Sequence, residues 1–340
     1  MTQSRVQSKS GRKRSPFRRF MRTLLIMFVL MFAASGAVVA YMANQVNDVT
    51  SSASVELERG DRSENRTEPV SPSKDNISIL FLGVDDRDGN LDGRTDANLL
   101  ATFNRDEGSV KVLSIPRDTL VDIPGRGEDK INHAHAFGGV DLTIDTVEQM
   151  LDIPVDYFVT INFTAFMEIV DTLGGIEVDS PIAFTEMDSA DTQNAISIDE
   201  GIQELDGEEA LAYARMRKSD PRGDIGRGER QQQVLEAMLR KGMSFNSIVR
   251  FDDVMESLER HVKMNLSFGE IVGMHGYASS LNEVESINFR GNDATYSGVY
   301  YFQVEDQSLE EVSTELRVHL GLEEPEVTDD SEAEDDETEE

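Results

Sequence analysis

Residues Thr23 to Ala43 (TLLIMFVLMFAASGAVVAYMA) form an uncharged run of twenty-one residues. As a helix, a run of that length crosses a hydrocarbon core of roughly 30 Å. The preceding residues 1–22 carry eight Lys and Arg and no acid, and such a flank stays on the cytoplasmic side. The run therefore predicts a transmembrane signal-anchor helix over 23–43 and a single-pass cell-membrane protein. Its basic N-terminus is cytoplasmic, and everything after Tyr41 is extracellular. A cleaved signal peptide is the alternative use of such a run, since Ala33, Ala34, Ser35 and Ala40 suit a protease. The run is longer than a usual signal core, which favours the anchor.

The 340 residues carry a net charge of −33, which excludes nucleic acid as a partner and, for the outer part, an anionic lipid surface. The chain has no cysteine, so disulfides, thiolate metal sites and a cysteine nucleophile are all excluded. Residues 323–340 hold twelve acids and no base, the composition of a solvated, disordered tail. Residues 44–76 are rich in Ser, Glu, Arg and Asn, contain Pro69 and Pro72, and read as an extracellular stalk. A folded domain is expected over 77–322.

Within that domain, apolar runs at 77–85, 97–104, 110–116 and 157–163 read as strands, the first nearly all apolar as a central strand would be. Val140 to Leu151, Ala165 to Leu173, Gly207 to Ala212, Glu229 to Lys241, Phe251 to Val262, Phe268 to Leu281 and Leu309 to Leu320 carry helical spacing. Alternation of this kind predicts an α/β (α+β) domain: one mixed central sheet flanked by helices.

Positive charge is placed unevenly. No Lys or Arg occurs between Ile131 and Ala214. Arg87, Arg94, Arg117 and Lys130 fall near the ends of early strands, while Arg215, Arg217, Lys218, Arg222, Arg227 and Arg230 crowd into sixteen residues. Two such groups meeting in space would make a cationic pocket in an anionic domain, and arginine's planar fork grips phosphate through paired bonds. Simple pairing of each arginine with a nearby carboxylate is the plainer alternative. An extended YARMR segment would put Tyr213, Arg215 and Arg217 on one face. A helix starting near Arg227 would place Arg230 and Gln231 on a shared face and offer free N–H groups to an anion, with Asp224 or Glu229 as internal compensation.

Asp85 closes the first strand and Asp96 precedes the second. Two carboxylates at one sheet edge suit a hard ion such as Mg²⁺, completed by water and phosphate oxygens, though loop aspartates more often serve turns and caps. His133 and His135 in INHAHAFGG read as structural loop histidines. The chain contains neither a G-x-S-x-G elbow nor a P-loop, so serine hydrolase and NTPase readings lack their motifs.

The ordered set GVDDRDGNLDGRTDANLL, VLSIPRDTLVDIPG, DKINHAHAFGG, IVDTLGGIEV and LDGEEALAYARMRKSDPRGDIGRGERQQQVL resembles the LytR-CpsA-Psr family, closely over Ile77 to Lys241. The resemblance implies a Mg²⁺-dependent phosphotransferase. Such an enzyme attaches anionic glycopolymer, teichoic acid or capsular polysaccharide, from a polyprenyl-pyrophosphate carrier to peptidoglycan. By motif, Asp85 and Asp96 would hold Mg²⁺, and Arg94, Arg117, Arg215, Arg217, Arg227 and Gln231 would grip the pyrophosphate, with Arg87, Lys130, Arg222 and Arg230 as neighbours of the head group. It also implies an apolar tunnel for the prenyl chain. Arg117 and Asp224 are the expected catalytic pair, with Asp118 as a second candidate for the proton acceptor. His135 departs from the family, which has an aromatic residue there. Two rival readings are a pyrophosphatase that cleaves the same lipid with water and a non-enzymatic membrane-bound regulator.

Overall fold

The computed structural model describes residues 55–85, 91–242, 261–277 and 284–325. The 23–43 run, the basic arm before it and residues 326–340 lie outside them. No helix among the described residues is long and apolar enough to cross a membrane.

Six strands form the central sheet: β1 (Ile77–Val84), β2 (Thr95–Asn104), β3 (Ser109–Ser114), β6 (Tyr157–Asn162), β11 (Val262–Met264) and β12 (Val284–Asn288), in the order β11-β6-β1-β2-β3-β12. β1 pairs parallel with β6 and antiparallel with β2, while β3 pairs antiparallel with β2 and parallel with β12. The expected mixed sheet is thus present. Its centre is β1, and the reason lies in the side chains. Leu80 and Leu82 face one core with Leu100 and Leu113, whereas Ile77 and Ile79 face another with Ala101 and Phe103. Both faces of the strand are covered, so polar alternation is lost.

The first face is covered by α1 (Ile131–Leu151) through Ile144, Val147 and Leu151, and by α6 (Asp306–His319) through Val312 and Leu316. α2 (Phe163–Thr172), α3 (Gly207–Arg215) and α4 (Asp224–Gly242) lie toward the other face, where Leu235 joins the second core and Val170, Tyr213 and Val234 join a third. Three two-stranded ribbons surround the sheet: β4 (Leu120–Ile123) with β5 (Gly127–Lys130), β7 (Ile176–Ser180) with β10 (Gly201–Leu205), and β8 (Phe184–Glu186) with β9 (Ile196–Ile198). A fourth ribbon, β13 (Gly291–Tyr296) with β14 (Val299–Val304), precedes α6. α5 (Phe268–Gly273) and a 3-10 turn, Met274–Tyr277, follow β11.

Several local expectations need correction. INHAHAFGG is helical, not a loop: α1 starts at Ile131 and is interrupted at Gly138 and Gly139, the latter at φ 66°. A side chain at Gly138 would meet Leu142 at 2.6 Å, so the glycine pair allows the two helical pieces to bend against each other. YARMR is not extended either. Tyr213 and Arg215 end α3, and Tyr213 is fully buried in the third core. The stretch read as a stalk is packed over its described part, 55–76. Leu57 sits in the first core, Ser63 donates to Glu148 at 2.7 Å, and Arg66 pairs with Asp156 at 2.7 Å. Its polar residues are spent on specific partners, which composition alone does not reveal. Of the helix expected over Phe251 to Val262, only the end is described, and there Val262 opens β11.

His319 closes α6 beneath the sheet, 2% exposed, with Nδ1 2.7 Å from Thr102 Oγ1 and Nε2 2.9 Å from Ser109 Oγ. Burial, with repulsion from Lys111 added, pushes its pKa down to about 4. The unfolded chain, with an imidazole pKa of about 6.5, binds a proton in the interval that the folded chain refuses. The neutral ring's contribution is therefore complete above about pH 6.5 and is lost as pH falls through 4, about 3 kcal/mol in all. Denaturation of the parent chain and His319→Gln across pH 7 to 4 should show a shallower loss for the variant. Identical slopes would contradict this role.

Candidate active site

The site lies where β1, β3 and β6 end. These three strands run in the same direction, so Asp85, Arg117 and Phe163 emerge at one edge of the sheet. Asp96 joins them from the start of β2, beside the irregularity in pairing at Gly83/Val84. Open α/β sheets bind ligands at such carboxyl edges.

Across from that edge stand the end of α3, the loop 216–223 and the first turn of α4. Arg117, Arg215, Arg217, Lys218 and Arg227 line one pocket together with Glu186, Met187 and Gly223. The two distant groups of cations therefore meet, although each arginine also leans on a carboxylate. Arg117 Nη1 reaches Asp96 Oδ1 at 2.5 Å, and Asp224 joins Arg227 at 2.6 Å and Arg217 at 3.1 Å. Arg215 lies 3.7 Å from Asp191 and 4.9 Å over the Phe163 ring. Pairing and pocket are compatible because the guanidinium has five donors and a carboxylate occupies only some of them.

Arg227 shows what the crowding costs. Burial is the main force lowering its pKa from the ordinary arginine value. Asp224 and Asp96 oppose that change, while Arg117 and Arg217 add to it. Three guanidiniums in electrostatic reach of one another favour an anion between them.

A second cavity, of about 1250 Å³ with its open mouth included, runs between the sheet and α2, α3 and α4. Phe81, Val159, Phe166, Leu211, Val234 and Met238 are among its apolar walls, and Asp96, Asn162, Arg215 and Gln231 are its polar ones. Arg215 belongs to both cavities, so the apolar space reaches the cationic pocket. Gln231 stands on the apolar wall, its amide 3.4 Å from the Ala214 carbonyl.

Not every expected residue lines the pocket. Arg230 is 1% exposed and acts as a staple: Nη1 donates to Asp220 at 2.6 Å and Nη2 to the Met216 carbonyl. It therefore anchors the loop that carries Arg217 and does not present itself to a ligand. Gly226 is required for the same staple, because a Cβ there would fall 1.9 Å from Asp220 Oδ2. Arg222 points outward to Glu229 at 2.5 Å, and Lys130 is held by Asp118 at 2.6 Å. Arg94 is exposed, with no ion pair to any described residue. Arg87 lies outside the described residues. His133 pairs with Asp129 at 2.8 Å, and His135, 4% exposed, contacts the Gly93 carbonyl through Nδ1 at 2.8 Å. His135 thus braces the turn before Arg94. Burial lowers its pKa.

Sequence reasoning missed Phe163 under Arg215, Glu186 at the end of β8 with Met187 after it, and Asp191. They come from separate segments and share no local pattern that could have flagged them.

Comparison with known proteins gives a consistent answer. The LytR_cpsA_psr family model matches residues 40–318. A relative from Bacillus subtilis (strain 168), "Polyisoprenyl-teichoic acid--peptidoglycan teichoic acid transferase TagT", is 43% identical over 321 residues, 93% of this chain and 99% of its own length. TagU of Halalkalibacterium halodurans, which carries the same enzyme name, is 38% identical over 286 residues, 83% and 92% respectively. A structure of TagT bound to LIIa-WTA superposes with a TM-score of 0.69 at 45% identity, covering 78% of this chain and 99% of that one. A second structure of TagT (YwtF), with bound octaprenyl pyrophosphate lipid, gives 0.64 at 43%, with the same coverage. The motif order, the mixed sheet with its cationic edge and these likenesses agree, and the chain belongs to the LytR-CpsA-Psr family.

Proposed function

We propose that this chain is a membrane-anchored phosphotransferase that moves an anionic glycopolymer, teichoic acid or capsular polysaccharide, from a polyprenyl-pyrophosphate carrier to peptidoglycan outside the cell. The single observation that carries the reading is the continuity, through Arg215, of an apolar cavity with a pocket of four arginines. A prenyl chain and a diphosphate need that combination. The anchor is the 23–43 run, on the strength of its length and basic flank.

In this reading Arg117, Arg215, Arg217 and Arg227 hold the diphosphate. A sugar hydroxyl of the acceptor attacks the phosphorus that bears the glycan. Its proton passes to Asp224, a new P–O bond forms, the P–O bond to the bridging oxygen breaks, and polyprenyl phosphate departs. Such a reaction needs alignment and charge neutralisation more than covalent help.

Asp85 and Asp96 suit Mg²⁺ by donor type and by their shared sheet edge. Among the described residues, no group of three or more His, Cys, Asp or Glu could hold a metal. The ion would thus be completed by water and the diphosphate's own oxygens. When bound, it would supply charge neutralisation on that diphosphate.

The test is the purified chain with a synthetic lipid-pyrophosphate glycan and peptidoglycan strands, with Mg²⁺ or with chelator. Phosphodiester-linked product is expected. Lipid cleavage without such product, whatever the acceptor, would favour a pyrophosphatase. Narrowing the apolar cavity supplies a second check. Ala214→Phe should weaken binding of a long polyprenyl pyrophosphate at least about tenfold, a loss of roughly 1.4 kcal/mol. Inorganic pyrophosphate should bind as before. Equal losses for both ligands would place the lipid elsewhere.

A further inference from the structure

Beside the arginine pocket, and sharing Arg217 and Gly223 with it, lies a third cleft. One wall is the β13–β14 ribbon, with Asp293, Tyr300 and Phe302. Opposite stand Asp118 and the segment Pro221 to Ile225. Asp224 lies in this wall while bonding to two arginines of the pocket next door. A group seated in the cleft is therefore adjacent to whatever anion those arginines hold.

The lining states what kind of group fits. Of its carboxylates, Asp118 is held by Lys130 and Asp224 by Arg217 and Arg227, while Arg222 at the rim is taken by Glu229 and Asp220. Both lining arginines are thus already paired, which disfavours a second phosphate. Asp293 accepts the Tyr300 hydroxyl at 2.8 Å and has no cationic partner among the described residues. Carboxylates accept hydrogen bonds and donate none, so they call for a neutral ligand rich in hydroxyls. Pro116, Pro221 and Phe302 give the same cleft apolar surface, which suits the C–H faces of a pyranose.

The ribbon is registered to the catalytic loop. Phe302 N donates to the Asp118 carbonyl at 2.9 Å, and Thr119 bridges to Phe302. The Lys130 ammonium, bonded to Asp118, sits 5.9 Å and 5.5 Å from the Tyr300 and Tyr301 ring centroids. The cleft is therefore fixed relative to Arg117.

We propose that this cleft is a pyranose-binding subsite, in which Tyr300 and Asp293 grip a sugar of one of the two glycans and set its position beside Asp224. The inference rests on the transferase reading above, and the sugar belongs either to the donor's glycan or to the peptidoglycan acceptor. The test uses the full chain and its Tyr300→Ala and Asp293→Ala variants, with unchanged melting temperature as the control for folding. Three probes are titrated: sugar-free polyprenyl pyrophosphate, the same lipid bearing a disaccharide, and a soluble lipid-free peptidoglycan strand. Both variants should bind the sugar-free lipid within twofold of the parent and lose at least tenfold on one sugar-bearing probe. Loss on the disaccharide lipid assigns the cleft to the donor sugar, and loss on the strand assigns it to the acceptor. Parental affinity for both sugar-bearing probes would overturn the proposal. Failure of the parent chain to bind the sugar-free lipid would instead overturn the transferase reading beneath it.

Discussion

Arg117→Ala is expected to lower glycopolymer transfer about 10²- to 10³-fold, the usual loss when one preorganised electrostatic donor is removed. Among the described residues, Arg117 is the one guanidinium that comes to the pocket from the sheet side, and Asp96 holds it at 2.5 Å. Although burial works against its charge, Asp96 and Asp118 raise its pKa, so it is a fixed cation. Folding should suffer little, because Asp96 is partly exposed and can be solvated once its partner is gone. Arg117→Lys should recover only part of the rate, since an ammonium keeps the charge and loses the fork. Transfer rates measured beside melting curves check both statements. A rate within threefold of the parent for Arg117→Ala would remove it from the chemistry.

Arg230→Ala should act in the opposite manner, on stability first. The variant takes from Asp220, 3% exposed at its side chain, its buried cation and leaves it the exposed Arg222 at 3.5 Å, and it frees the Met216 carbonyl. Breaking a buried pair from one side costs about 3–5 kcal/mol, which in a domain of this size lowers Tm by roughly 10 °C. The released loop carries Arg217, so affinity for polyprenyl pyrophosphate should fall as well. Arg230→Met combined with Asp220→Leu removes both charges and should regain much of the lost stability. A double variant as unstable as the single one would show that packing, not the orphaned carboxylate, sets the cost.

How much of this was written legibly in the chain differs from element to element. β1 and β2 were readable because an apolar run bounded by turn residues has few other uses, and the mixed sheet followed from the alternation of such runs with helical ones. Arg117 and Arg215 could be expected to meet because cations absent from eighty residues and crowded elsewhere point to a shared place. Direction was harder. Arg230 and Arg227 lie three residues apart on one helix, yet Arg227 enters the pocket while Arg230 turns to Asp220, a choice made by the loop and not by spacing. Tyr213 followed the α3 period into the core, which an alternating reading of YARMR could not show. Residues 55–76 looked like a linker because their partners, Glu148 and Asp156, are some eighty to ninety positions away. Tyr300 and Asp293 left no local signal at all.

The most direct measurement of the central claim is a structure of this chain with polyprenyl pyrophosphate. The account expects the diphosphate within hydrogen-bonding distance of Arg117, Arg215, Arg217 and Arg227, and the prenyl chain against Phe81, Phe166, Leu211 and Val234. A lipid whose diphosphate lies away from those arginines, or whose chain leaves that cavity empty, would contradict it.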